Sequence, residues 1–353
     1  MLTNTKKYLF LKKSNKNKRK KRIINKINFI RLAIILIIIV FILTIIFLFT
    51  VYNFYFRKFI IKDEKNKLST FPFLKSDNKT KVGLCIIGKK ENNYIKEFVT
   101  HYKKLGYDHI FLYDNNDEND EKFEDILQDE VKEGFVSIIN RRGYRGINNN
   151  PQLNSYYDCY EKYNQSFHWL SFFDIDEYLE ITPNNITIQE FLDNKRYRDC
   201  QHIKINWLTY SDNDLLYYEN KPLQERFTTK SNDKEINRHI KPIVKGNLTI
   251  NYWRTAMTIH SSSENFIACS SSGKRVNTHY FKMFPDYSCA HLKHYLTKTI
   301  QEFCNKIKRG PATHTLRYST DVLKKMFNKF FSINKKTKEK VEFFNKEFKT
   351  NFE

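Results

Sequence analysis

Three carboxylates, Asp174, Asp176 and Glu177, follow directly on an apolar and aromatic run from Trp169 to Phe173. Such a run reads as a buried strand, which places the acids at its C-terminal end. Gathering like charges there is costly unless something positive stands among them. Aspartates one residue apart are hard oxygen ligands suited to Mg²⁺ or Mn²⁺, and the C-terminal edge of an open α/β sheet is where ligands bind. The chemistry this spacing suggests is a metal ion carrying a phosphorylated substrate. An isolated D-x-D equally fits a solvated acidic turn after a core strand, so the surrounding chain has to decide.

The elements that must position these acids can be read upstream. Val82 to Ile87 reads as a buried strand, with Glu91 in the polar loop at its end. Asn93 is placed to cap a helix whose Ile95, Phe98, Tyr102 and Leu105 fall on one face before Gly106 stops it. A second strand, His109 to Tyr113, runs into Asp114, and a third, Phe135 to Ile139, into a polar loop from Arg141 to Asn150. A helix from Gln152 to Tyr163 then precedes the Trp169 strand. Strand and helix alternate as they do in parallel sheets. The acidic pair therefore closes about the fourth strand, with the loops carrying Glu91 and Asp114 on the same edge as candidates for nucleoside contact.

Downstream, Thr299 and Glu302 form a capping box and Gly310-Pro311 ends the turn, so Ile300 to Arg309 is expected to be a helix with His294 just before it. Past Pro311, the residues Val322, Leu323, Met326, Phe327, Phe330, Val341, Phe344 and Phe348 recur at helical spacing. They read as amphipathic helices that pack on the domain and carry no function of their own.

The 353 residues carry a formal net charge of +22, placed unevenly: twelve of the 61 Lys and Arg lie in residues 1–31, which hold no acid. From Leu32 to Phe56 no residue is charged, and Leu32 to Val51 is almost wholly Ile, Leu, Val and Phe, long enough to cross a bilayer of about 30 Å as a helix. A signal anchor of type II is expected, with the basic arm cytoplasmic and the rest translocated, facing a Golgi or ER lumen in a eukaryote. That topology accounts for the basic arm and argues against nucleic acid as a partner. The six cysteines all lie beyond the segment, without C-x-x-C spacing, and four N-x-[ST] sequons begin at Asn78, Asn164, Asn185 and Asn247. Disulfides of undetermined pairing and a glycoprotein are consistent with that side. The expected organisation is a basic arm (1–31), a transmembrane anchor (32–56), a stem (57–81), a catalytic domain (82–311) and C-terminal amphipathic helices (312–353).

Several blocks together resemble glycosyltransferase family 92 and the related family-2-like domains of GT-A fold. The blocks are Cys85 to Glu91, Glu97-Phe98, Asp114 to Asp117, Trp169 to Leu179, Ile203 to Trp207, Glu225 to Phe227 and Lys241 to Val244, and then His294, Tyr295, Lys298, Glu302, Phe303, Lys306, Arg309 and Gly310. The chain departs from the pattern at Lys90, at Phe98 and in Leu208-Thr209-Tyr210. The resemblance implies a Rossmann-like α/β/α sandwich and a nucleotide-sugar donor, UDP-linked, whose hexosyl group passes to a glycan hydroxyl with inversion. It also implies Mn²⁺ (or Mg²⁺) held by Asp174, Asp176 and His294, with Lys298 or Arg309 offsetting charge on the leaving diphosphate. Glu225 and Asp212 are the candidate bases, and the His294 segment is expected to order over the donor as a lid. The competing readings are a non-catalytic membrane-anchored binding protein of the same fold and a D-x-D phosphatase. In the latter the pair would open the domain and small residues would follow it.

Overall fold

Alternating burial along the first strand sets the layering. In β1 (Val82–Gly88), Leu84 and Ile86 join one apolar cluster with Ile95, Phe98 and Tyr102, whereas Cys85 joins another with Tyr156, Cys159 and Tyr160. Successive strand side chains point to opposite faces, so helices α1 (Asn92–Lys104) and α2 (Pro151–Tyr163) supply the packing on the two sides. The sequence puts the α1 cap at Asn93. The cap falls two residues earlier, at Glu91, which makes no capping bond because its carboxylate is turned to Arg309. This computed structural model describes residues 41–45, 47–48, 79–144, 150–248, 267–276, 284–310 and 319–353.

The remaining strands are β2 (His109–Asp114), β3 (Val136–Asn140), β4 (Trp169–Phe172), β5 (Glu177–Ile181), β6 (His202–Thr209), β7 (Ile240–Lys245), β8 (Ala268–Ser270) and β9 (Ala290–His294). They form one nine-stranded sheet in the order β3-β2-β1-β4-β7-β6-β9-β5, with β8 paired to β6. The half from β3 to β4 is parallel, as the alternation predicts. The other half is mixed: β7 runs antiparallel to both β4 and β6, and β9 is parallel to β6 and antiparallel to β5.

That second half corrects the expected Rossmann-like sandwich. Strands β4 and β5 are consecutive in sequence, yet three strands lie between them in the sheet. Crossing four inter-strand gaps of a flat sheet takes about 19 Å. The five residue steps from Phe172 to Glu177 reach at most about 18 Å when fully extended. They are not extended, since Glu177 N–H donates to Asp174 C=O at 3.0 Å. The sheet therefore curls on itself, and the acidic turn spans the mouth of the curl.

Two disulfides hold this frame, Cys85–Cys159 between β1 and α2 and Cys200–Cys269 beside β8, while Cys289 and Cys304 are free. At the C-terminal end, helices α3 (Ile300–Arg309), α4 (Thr320–Ile333) and α5 (Lys338–Phe348) share a separate apolar cluster that includes Ile300, Cys304, Ile307, Phe327, Phe330 and Phe344. The expected helical spacing is met there.

The chain divides into two units, Met1–Phe73 and Leu74–Glu353. Of the first, only Phe41 to Ile45 with Phe47 and Leu48 are described, and these are helical and exposed. Among the described residues no helix is long and apolar enough to cross a membrane. The expected single-pass type II topology and its Golgi or ER placement are corrected accordingly. The rest of the 32–56 segment, the basic arm and residues 57–78 of the stem, Asn78 included, lie outside the described residues.

Candidate active site

The turn between β4 and β5 splits its acids between two cationic environments. Asp174 Oδ1 accepts from Gln152 Nε2 at 2.7 Å and from the Tyr156 hydroxyl at 3.1 Å, both on α2. Its Oδ2 lies 2.7 Å from Lys241 Nζ on β7. Lys241 is fully buried and also 3.4 Å from Glu177, whose Oε2 accepts the Asp174 N–H. Burial works against the Lys241 charge, but Asp174 and then Glu177 outweigh it and raise its pKa, whereas burial pushes the Glu177 carboxyl well above the usual range.

Asp176 faces the other way. Its Oδ2 accepts from Lys306 Nζ at 2.6 Å, and its Oδ1 lies 3.5 Å from His294 Nε2. Its backbone carbonyl accepts the Tyr295 N–H at 2.9 Å. Burial alone would raise the Asp176 pKa, but Lys306 and then His294 outweigh it and hold the carboxyl well below the usual range. Burial pushes the His294 imidazole down to about 4, so it is neutral at pH 7.

Helix α3 closes the arrangement. Glu302, Lys306 and Arg309 are four and three residues apart and so share one helix face. Glu302 completes the predicted capping box with Thr299, takes a bidentate ion pair from Arg226 at 2.9 and 3.0 Å, and accepts the Tyr94 hydroxyl at 2.6 Å. Lys306 reaches Asp176 and the Leu296 carbonyl, the latter at 3.1 Å. Arg309 donates to the Glu91 carboxylate and to the Lys89 carbonyl. Lys298 sits 3.6 Å from Glu91, with its ammonium 3.9 Å from the centre of the Tyr94 ring.

The structure thus brings together Glu91, Asp176, His294, Lys298 and Arg309 from the residues singled out in the sequence. The others are held apart. Asp114 is buried against Arg142 at 2.7 Å, and the same guanidinium donates to the carbonyls of Asp117, Asp120 and Glu121, folding that loop. Asp212 is buried against Lys340 at 2.7 Å, and burial raises its pKa. Glu225 is exposed on a short helix, Leu223–Arg226. His294 is not on an incoming loop: it ends β9, in register with Glu177 of β5 on one side and Thr209 of β6 on the other. A strand paired on both edges cannot serve as a lid. Sequence reasoning missed Lys241, Gln152 and Tyr156 around Asp174, and gave Lys306 no role. The signal for Lys306 was available, since it lies one helical turn from both Glu302 and Arg309.

The metal-binding expectation is also corrected. Among the described residues no group of three or more His, Cys, Asp or Glu side chains is placed to hold a metal ion. Asp174 spends its oxygens on Gln152, Tyr156 and Lys241, and the buried Nδ1 of His294 has no hydrogen-bond partner. A metal-bound imidazole is normally oriented through that second nitrogen. The set Asp174, Asp176 and His294 therefore does not fit the expected Mn²⁺ (or Mg²⁺) ion, and no step below passes through one.

Against this geometry, the sequence profile described as Glycosyltransferase family 92 matches residues 80–353. A glycosyltransferase family 92 protein of Ricinus communis is 22% identical over 124 residues, 35% of this chain and 21% of that protein. One of Oryza sativa subsp. japonica is 27% identical over 111 residues, 31% of this chain and 18% of that protein. The chain spans about a fifth of the length of these relatives in the matched stretches. Two crystal structures of S. aureus TarS, the second of residues 1–349, align over 76% of this chain and 49% and 70% of theirs, at 10% and 11% identity. Their TM-scores of 0.32 and 0.33 are too low to bear on fold or activity.

Proposed function

The chain belongs to glycosyltransferase family 92, and from that membership we propose that it is a hexosyltransferase using a UDP-sugar donor and a glycan hydroxyl as acceptor. The observation that carries the reading is Lys306. Its side chain is 30% exposed while its partner Asp176 is 6% exposed, so water reaches the lysine where it does not reach the carboxylate. Lys298 and Arg309 meet at Glu91 next to it. When the bond from the anomeric carbon to the diphosphate oxygen breaks, negative charge grows on the leaving group, and fixed cations aimed at it lower the barrier. Asp176 holds Lys306 in place for that task. Glu91, in the loop after β1, flanks the place of the nucleoside, whereas Asp114 is tied to Arg142.

In a single displacement the acceptor oxygen bonds to the anomeric carbon from the opposite side and its proton passes to a base, which inverts the configuration. Of the two candidates Glu225 is open to solvent, whereas Asp212 is locked under Lys340, so Glu225 is the better placed. A screen of nucleotide sugars for UDP release, with NMR of the product's anomeric centre, tests the reading. UDP release with inversion is expected. No release from any nucleotide sugar would contradict the activity, and a retained configuration would contradict the single displacement. Parallel assays in Mn²⁺ and in EDTA read the metal requirement directly.

A further inference from the structure

Helices α4 and α5 supply no group to the reaction proposed above, yet their junction reaches two loops beside the site. Asn334 follows α4 and is 5% exposed. Its Oδ1 accepts the Asp212 N–H at 2.7 Å, and its Nδ2 donates to Thr297 Oγ1 and to the Phe330 carbonyl, each at 3.0 Å. A backbone donor on one side and a backbone acceptor on the other leave the amide a single orientation. Lys340, also buried, fastens the same first loop through Asp212 at 2.7 Å and Asp214 at 3.1 Å.

Both loops hold non-glycine residues in the left-handed region, Asn213 (φ 48°) and Asp214 (φ 61°) in one and Lys298 (φ 54°) in the other. Side chains with a Cβ rarely adopt that conformation, and it persists where the surroundings over-determine it. Thr297 directly precedes Lys298, whose ammonium is held at Glu91 and Tyr94.

We propose that Asn334 is a positioning residue: by fixing Thr297 it keeps Lys298 in the left-handed conformation that holds its ammonium on Glu91 and Tyr94, beside the place of the donor diphosphate. The ligand in that statement rests on the donor reading above, while the clamp does not. The partner loop, held by the same amide, keeps Asp212 and the exit of β6 against the segment that carries Lys298.

The test uses the full chain and three variants, Thr297→Val, Asn334→Ala and Asn334→Asp, with amide hydrogen exchange and UDP titration by calorimetry on each. Thr297→Val removes the acceptor hydroxyl at nearly constant volume and leaves the Asp212 end intact. It should raise exchange at the Thr299 amide tenfold or more and weaken UDP at least fivefold, with β1 exchange unchanged. Asn334→Ala should do the same and also release the Asp212 amide. Asn334→Asp, which keeps an acceptor for Asp212, lets the Thr297 hydroxyl donate in turn and loses only the bond to the Phe330 carbonyl, should release neither end as far as Asn334→Ala does. Exchange and UDP affinity within twofold of wild type in Thr297→Val would overturn the proposal even if Asn334→Ala fails to fold. Faster exchange with unchanged UDP affinity would make Asn334 a structural cap and overturn it equally. If the wild type binds no UDP, the donor reading fails, and exchange still decides for or against the clamp.

Discussion

Two of the three ion pairs on one face of α3 stand a helical turn apart and differ in what water can reach. In the Glu302–Arg226 pair the side chains are 4% and 1% exposed, and the carboxylate is saturated by Arg226, Tyr94 and Thr299. In the Lys306–Asp176 pair the lysine is 30% exposed, and its two contacts, to Asp176 and Leu296, leave an ammonium donor spare. The first has no capacity left and can only hold the fold. The second keeps an anchored cation with a free side, which is what an anionic ligand needs. Similar residues on one helix therefore divide into structure and chemistry by how completely their hydrogen bonds are used.

The largest effect expected from this contrast is on stability. Arg226→Met strands a fully enclosed carboxylate and should cost about 3–5 kcal/mol, whereas Lys306→Met removes a partly exposed lysine and leaves Asp176 beside His294, and should cost less, about 1–3 kcal/mol. Urea denaturation of both proteins measures the difference, and equal costs would break the distinction between closed and open pairs.

Acid sharpens it next. Burial pushes His101, His291 and His294 down to about 4 and His202 to about 3. An unfolded histidine titrates near 6.5, so between about 6.5 and 4 the unfolded chain binds protons that the folded one refuses. Stability is therefore intact above pH 7 and falls as pH drops through that window. The depressed Asp176 carboxyl adds a loss only below about 4, where its unfolded counterpart is protonated. Thermal scans should show a melting temperature lower by about 10 °C at pH 5 than at pH 7. A flat profile there would mean that these imidazoles are not held neutral.

The smallest effect belongs to a pair open on all sides. Lys338 and Glu342, 83% and 65% exposed, should tolerate Lys338→Ala within about 0.5 kcal/mol. A larger loss in the same urea series would show that exposure alone does not rank these pairs.

What could be read from the sequence was local. The alternation of β1, α1, β2, β3, α2 and β4, the Thr299–Glu302 capping box and the apolar spacing of α4 and α5 all depend on neighbours within a few turns, and the structure contains them. The curl was hidden because it depends on β5 finding β9, as in the Glu177–His294 register, between residues far apart in sequence. The same distance hid the counter-charges: nothing near Asp174 announces Lys241, and nothing near Asp176 announces Lys306. Without those partners the acids read as metal ligands. With them, each aspartate already has a cation, and His294 becomes part of the sheet.

The central claim is that Lys306 meets the donor diphosphate. Calorimetric titration of UDP into wild type, Lys306→Met and Lys306→Arg tests it most directly. Losing one charge-assisted contact to phosphate should weaken UDP in Lys306→Met by about ten- to a hundredfold, with the arginine variant recovering part of the loss. A thermal scan of Lys306→Met, expected to melt no more than about 10 °C below wild type, separates lost binding from lost fold. UDP affinity in the folded Lys306→Met protein equal to that of wild type would contradict the account.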